Sequence, residues 1–109
     1  MRRGKVWNND MEAGLITETL NGQYVFEYKD AYFQNPACPA ISLTLPKTQK
    51  CHLSKHLFPF FYSLLSEGSN RALQCRLLKI DEEDAFGLLL KTAAHETIGA
   101  VRVEEIPPA

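Results

Sequence analysis

The sequence is poor in cysteine and contains no long apolar run. Only three cysteines occur, Cys38, Cys51 and Cys75, and they form no Cys-x-x-Cys pair. An odd and sparse set of cysteines is typical of a reducing compartment, so we expect a cytoplasmic protein. No apolar segment approaches the roughly 20 residues that a membrane-spanning helix needs. The basic start, residues 1–5, is not followed by an apolar stretch, so we expect no secretory signal and no membrane partner.

The sequence also lacks an excess of one charge and any glycine-rich phosphate loop. Twelve lysines and arginines oppose thirteen acidic residues, and this net charge of -1 does not favour direct binding to nucleic acid. The six glycines are scattered and form no G-x-G-x-x-G, P-loop or G-x-S-x-G pattern. We therefore expect no catalytic residues, no cofactor and no enzyme activity.

The spacing of the histidines and the neighbouring cysteine does not favour a metal site. Cys51 and His52 are adjacent and His56 follows four residues later, whereas a zinc site usually needs four ligands at tighter paired spacings. In a helix, His52 and His56 would share a face and could hold a metal or a phosphate, but a solvated loop is the favoured interpretation. Three nearby lysines could likewise contact phosphate or be solvated: Lys47, Lys50 and Lys55. We expect free thiols and no metal site.

The first half of the chain has the alternation and turn residues of β-strands. The predicted strands are Lys5–Trp7, Ala13–Leu20, Tyr24–Tyr28 and Ile41–Leu45. Asn8–Asp10 predicts a turn, and Asn21-Gly22 predicts a hairpin with a type I′ turn, which needs positive φ at both central residues. One helical turn is expected at Asp30–Phe33, and residues 47–57 are expected to form an exposed loop.

The second half has the spacing of helices. Pro59 suits the first turn of a helix and Gly68 its C-terminal stop. Ser69 is expected to cap a second helix and Asp81 a third. The acidic residues 81–84 would lie in the first turn of that third helix, where they interact favourably with the helix dipole, and this interpretation is favoured over a cation site. The expected apolar faces are Phe60, Phe61, Leu64 and Leu65, then Ala72, Leu73 and Leu77, then Phe86, Leu89, Leu90 and Ala93.

Gly99–Val103 is predicted to be a last strand that returns to the early sheet. Strands, then helices, then one strand predict an α+β fold. We expect one domain over residues 1–109, with a small and mostly antiparallel sheet packed with about three helices.

The aromatic run at the start of the helix predicted from Pro59 is the best candidate for a partner contact. Phe58, Phe60, Phe61 and Tyr62 cannot all lie on one helix face, because neighbours point about 100° apart. If Phe60 and Phe61 enter the core, Phe58 or Tyr62 stays partly exposed as an anchor for another protein.

Glu67 and Arg71, four residues apart at the turn between two helices, form a second candidate. They are equally compatible with a partner contact and with a local ion pair, which is worth only a few tenths of a kcal/mol when exposed.

A series of short motifs runs through the chain in a fixed order. They are Leu43-Thr44-Leu45-Pro46, Phe60-Phe61, Leu64–Gly68 with Arg71, Asp84 with Phe86–Leu89, and Gly99-Ala100-Val101. Together they closely resemble the amino-terminal subdomain of HipA-type serine/threonine kinases, the toxins of HipA/HipB toxin–antitoxin systems. The resemblance covers about residues 5–104. Two features depart from the family pattern: Ser66 replaces a proline, and Thr92–Ile98 replaces a stretch that often carries Gly-Asp-Cys.

The resemblance implies a partner rather than a kinase. In a HipA kinase the catalytic core follows this subdomain and holds ATP and magnesium, and we expect these 109 residues to lack that machinery. The chain is instead similar to HipS-type proteins of three-gene HipBST systems. That likeness implies an antitoxin that binds and neutralises a shortened, HipT-like kinase toxin, with a HipB-like DNA-binding protein in the same complex. The candidate contacts are Phe58, Tyr62, Glu67 and Arg71.

Other functions remain open at this point. The chain could be an activating or regulatory subunit of that kinase, because a contact does not fix the sign of its effect. It could also be part of a DNA-bound repressor complex, although the balanced charge argues against direct DNA contact. A small hydrolase that uses His52 or His56 is a weaker alternative, since nothing positions a nucleophile beside either histidine.

Overall fold

A five-stranded antiparallel sheet forms the body of the molecule. The computed structural model describes residues 1–65, 68–94 and 100–107. The strands are β1 (Arg2–Asn8), β2 (Met11–Glu18), β3 (Tyr24–Tyr28), β4 (Cys51–Ser54) and β5 (Val101–Ile106), in the spatial order β4-β3-β2-β1-β5. The helices are α1 (Asp30–Gln34), α2 (Pro59–Tyr62), α3 (Gly68–Leu78) and α4 (Ala85–Thr92). The predicted α+β class is confirmed, and the last strand pairs with β1 as expected.

The core lies between one face of this sheet and helices α2 and α4. In β1, Val6 and Asn8 point inward while Lys5 and Trp7 lie on the opposite face, as the alternation of a half-buried strand requires. The largest fully buried side chains are Tyr28, Phe26, Phe61, Phe86, Ile16, Leu45, Leu88, Leu89, Val6 and Val103. No helix in the described part of the chain is both long enough and apolar enough to span a bilayer.

Both predicted turns connect antiparallel strands, and only the second differs in type from expectation. Asn9 and Asp10 both have positive φ, 50° and 67°, and connect the pair Asn8 and Met11, so the two-residue turn of type I′ character lies here. At the second hairpin only Gly22 has positive φ, 78°. There the Gly22 N–H donates to the Thr19 carbonyl at 3.0 Å, closing a longer loop. The type I′ prediction for Asn21-Gly22 is therefore wrong, although the hairpin itself is correct.

Two predictions between β3 and α2 are also wrong. Ile41–Leu45 is a bend and turn rather than a strand, with Ile41 and Leu45 buried but Leu43 fully exposed. The Tyr28 hydroxyl accepts from the Ile41 N–H at 3.2 Å and donates to the Leu45 carbonyl. These two backbone groups therefore bond to a side chain and not to the backbone of a neighbouring strand. The expected loop over residues 47–57 contains β4, which pairs with β3 from Glu27 to Tyr24.

The helices keep the predicted order but not all of the predicted boundaries. Gly68 begins α3 instead of ending the previous helix, and Asp84 rather than Asp81 caps α4 by accepting from the Gly87 N–H at 3.1 Å. The predicted apolar face of α4 is confirmed, since all four of its residues are buried. The predicted apolar face of α3 is wrong, because Leu73 and Leu77 are exposed while Cys75 is buried.

Candidate functional site

Tyr62 and Arg71 form an exposed pair between the second and third helices. The Arg71 Nη1 donates to the Tyr62 hydroxyl at 2.8 Å, and its Nη2 donates to the Glu82 carbonyl at 2.7 Å. The guanidinium carbon lies 5.3 Å from the centre of the Tyr62 ring, within reach of a cation–π contact. Arg71 thus connects the end of α2, its own helix and the segment before α4. Tyr62 keeps 49% of its surface exposed, so the pair remains available to a partner.

The other two candidate contacts are placed differently. Phe58 is only 7% exposed and its ring packs edge-on against Phe61 with centroids 6.1 Å apart. Of the two aromatics expected to compete for exposure, Tyr62 is therefore the accessible one, and Phe58 lies in the core. Glu67 lies outside the described residues.

An outward-facing apolar pair on α3 was missed as a site because its spacing suggested a core face. Leu73 and Leu77 are 50% and 72% exposed. At 100° per residue they point together to the side opposite Cys75, which is buried. We name Leu73 and Leu77 the α3 outer face. Paired leucines directed into solvent are the kind of surface that another protein covers.

Arg2 holds the start of the sheet to the start of α4. Its guanidinium donates to both carboxylate oxygens of Glu18 at 2.8 and 2.9 Å and to both of Asp84 at 2.8 and 2.9 Å. It also lies 5.4 Å from the centre of the Phe86 ring. We name Arg2, Glu18 and Asp84 the Arg2 clamp. The Arg2 hydrogen bonds lower the pKa of the Asp84 carboxyl, and the hydrogen bond from the Gly87 N–H adds to the effect.

Gly87 allows this clamp to form. A Cβ atom at this position would overlap the Asp84 carboxylate and would lie 2.9 Å from Arg2 Nη1. The hydrogen bonds between Arg2 and Asp84 join residues far apart in the chain, so no pattern of neighbouring residues in the sequence predicts them. The match of Asp84 and Phe86–Leu89 to a family motif was the only available signal.

The histidines and lysines of the middle segment are not brought together. His52 lies on β4, with its Nε2 3.0 Å from the Pro46 carbonyl, and His56 is exposed beyond the strand, so they share no helix face. Lys47 donates to two backbone carbonyls, and Lys50 pairs with Asp30 and Glu27. Among residues 1–65, 68–94 and 100–107, no three metal-binding side chains cluster.

Comparison with known proteins defines the class of this fold. The solved structure of the N-terminal domain of HipA toxin matches it with a TM-score of 0.74 and 27% sequence identity, over 100% of this chain and 96% of that one. The family model of the HipA N-terminal domain matches residues 4–104. The chain therefore belongs to the HipA N-terminal domain family, as the motif order predicted, and this places it in a HipA-related toxin–antitoxin context.

Two relatives show where this unit is found. An uncharacterized protein of Haemophilus influenzae is 34% identical over 105 residues, which make up 96% of this chain and 93% of that protein. A putative kinase of Sinorhizobium fredii is 29% identical over 84 residues, 77% of this chain but only 20% of that protein. The matched unit is the N-terminal subdomain, which is non-catalytic. It makes up nearly all of one relative and a fifth of the other.

Proposed function

We propose that this chain is an antitoxin that binds a shortened HipA-like serine/threonine kinase and neutralises it. The observation that carries the proposal is the occurrence of this unit both as nearly all of a small relative and as a fifth of a putative kinase. A subdomain that packs on a kinase core within one chain can pack on a similar core as a separate molecule. A HipB-like DNA-binding protein completes the proposed complex, and this chain itself makes no direct contact with DNA.

The exposed surface of α2 and α3 supports such a contact. Association must offset the lost freedom of two molecules, so it needs a few well-buried anchors. The α3 outer face offers two leucines, and the Tyr62–Arg71 pair offers an aromatic ring with a fixed guanidinium. On α3, Arg71 lies about 40° from Cys75 and therefore on the side away from Leu73 and Leu77. We propose two separate partner contacts, the Tyr62–Arg71 pair with Glu67 near it in sequence, and the α3 outer face; Phe58 lies in the core and is part of neither.

The alternative is a non-catalytic activating subunit. The same surface serves either role, because docking fixes the partner and not the sign of its effect. A purified mixture separates the two. The chain is added to a shortened HipA-like kinase of the same genome, and substrate phosphorylation and co-elution are both measured. A stable complex with suppressed phosphorylation supports the antitoxin, whereas raised phosphorylation supports the activator. No complex at all would overturn both roles.

Two matched variants test the surface. Leu73→Ser with Leu77→Ser removes both apolar side chains of the α3 outer face and should weaken the complex by about tenfold or more, the effect of losing an interface anchor. Leu20→Ser, at an 85% exposed leucine of the β2–β3 loop, is the control and should leave affinity unchanged. Equal affinity of the double variant and the native chain would reject this surface.

A further inference from the structure

Strand β4 forms one edge of the sheet, and its outer backbone groups are unpaired within the described part of the chain. The Tyr28 N–H donates to the Lys50 carbonyl at 2.9 Å. In an antiparallel ladder the residues bonded to the neighbour alternate with residues whose backbone faces away. His52 and Ser54 therefore bond to β3 like Lys50, while the N–H and carbonyl groups of Cys51 and Leu53 face outward.

The opposite edge, β5, is protected. The outward N–H of Val103 donates to the Ala93 carbonyl at the end of α4, at 3.1 Å. Lys91 on the same helix pairs with Glu105 at 2.7 Å. Helix α4 therefore covers the β5 edge, in the way that sheet proteins usually block an edge strand. No described element covers β4 in a comparable way.

The side chains along β4 indicate what would pair with it. Leu53 is 67% exposed on the open face of the sheet, beside Val25 of β3. Lys55 and His56 follow directly and are exposed, and no side-chain partner of Lys55 occurs among the described residues. A second copy of this chain would bring the same basic segment to the edge, so like charges oppose self-pairing. An acidic chain has the complementary charge.

We propose that the β4 edge binds an extended acidic segment of a partner protein as a sixth strand. The backbone of Cys51 and Leu53 donates and accepts the ladder hydrogen bonds, which is the general mode of strand addition. An apolar side chain of the segment packs beside Leu53, and a carboxylate pairs with Lys55. This edge is formed by β4, whereas the surface proposed for the kinase lies on α2 and α3, so the inference does not depend on the proposed function.

The direct test is amide hydrogen exchange of the isolated chain, followed by NMR. The probe is a synthetic peptide of alternating glutamate and valine, with the same peptide carrying lysine for glutamate as its control. We expect the Cys51 and Leu53 amides to exchange quickly in the free chain and at least about tenfold more slowly with the acidic peptide. Slow exchange without peptide, or protection that appears elsewhere, would overturn the proposal. Slow exchange that depends on protein concentration would identify a second copy as the occupant.

Two variant pairs separate the backbone and charge contributions. Leu53→Pro removes one outward N–H without removing a bond to β3, a position where an edge strand tolerates proline. It should abolish peptide binding, whereas Leu53→Thr, which keeps the N–H, should retain it in weakened form. Lys55→Glu should weaken acidic-peptide binding about three- to tenfold, and Lys79→Glu, at the residue after α3, should not. Unchanged binding in Lys55→Glu would reject the acidic partner even if Leu53→Pro fails to fold.

Discussion

Helices α3 and α4 are neighbours in sequence and both contain several leucines, but they bury them very differently. All three leucines of α4 are buried, whereas all three of α3, Leu73, Leu77 and Leu78, are exposed. Helix α4 is fixed at both ends: the Arg2 clamp holds its first turn, and the Ala93 carbonyl at its end accepts from β5. The comparison shows that anchoring to the sheet, and not leucine content, decides which helix joins the core.

The largest expected effect contrasts one leucine from each helix. Leu89→Ala should lower the free energy of unfolding by about 2–5 kcal/mol, because Leu89 is fully buried and the substitution leaves a cavity. Leu77→Ala should change it by about 0.5 kcal/mol or less. Urea unfolding followed by circular dichroism measures both. Similar losses in the two variants would mean that α3 is packed as firmly as α4.

A smaller effect is expected at Gly87, where the clamp meets α4. Gly87→Ala places a methyl group against the Asp84 carboxylate and should lower the free energy of unfolding by about 1–3 kcal/mol. In an Asp84→Ala background the same change should be neutral or slightly stabilising, because alanine favours helix over glycine. The four unfolding free energies of this double-mutant cycle test the clash. Additive effects would show that it is absent.

The Asp84 carboxylate should contribute next, in a pH-dependent manner. Asp84→Ala should cost about 1 kcal/mol at neutral pH through loss of the cap and the ion pair. Since the folded pKa of Asp84 lies below its ordinary value of 3.8, the stabilisation is present above that value and is lost as the pH falls through the lowered folded pKa. Melting temperatures of both proteins should therefore converge in strong acid. A constant difference down to that range would exclude the carboxylate as the cause.

The smallest effect on stability is expected at the Tyr62–Arg71 pair. Arg71→Ala removes only exposed hydrogen bonds and a cation–π contact, so the free energy of unfolding should fall by about 0.5 kcal/mol or less. The informative measurement is affinity for the kinase, which should fall while the unfolding curve stays in place. A change in stability with unchanged affinity would give Arg71 a purely structural role.

Local patterns predicted much of the fold. The alternation of Tyr24, Phe26 and Tyr28 identified β3 and its buried face, and the spacing of Phe86, Leu89 and Leu90 identified α4. Ile41–Leu45 has an equally clear alternation and is not a strand. There the decisive partner is the hydroxyl of Tyr28, on a different element, and alternation alone carries no information about that contact.

Less of the candidate site could be predicted. Tyr62 and Arg71 are both candidate contacts in the sequence, but the sequence does not predict their hydrogen bond to each other, because the spacing of Arg71 is equally compatible with an ion pair to Glu67 and with a partner contact. Leu73 and Leu77 have the spacing of a core face, and only the packing of Cys75 shows that they point outward. Strand β4 was not predicted because the segment that contains it, residues 47–57, is polar and basic, as is typical of a loop.

The pairing of β1 with β5 determines how late in synthesis the sheet can be completed. Arg3 pairs with Ile106 and Asn8 with Val101, so an inner strand of the sheet is completed by residues from the opposite end of the sequence. Contacts of such high sequence separation slow folding. A chain emerging from the ribosome can form the β1–β2 and β2–β3 hairpins early, but β1 has an unpaired edge until Ile106 has been synthesised and released. Translation products that stop before β5 expose that edge and are candidates for aggregation or degradation.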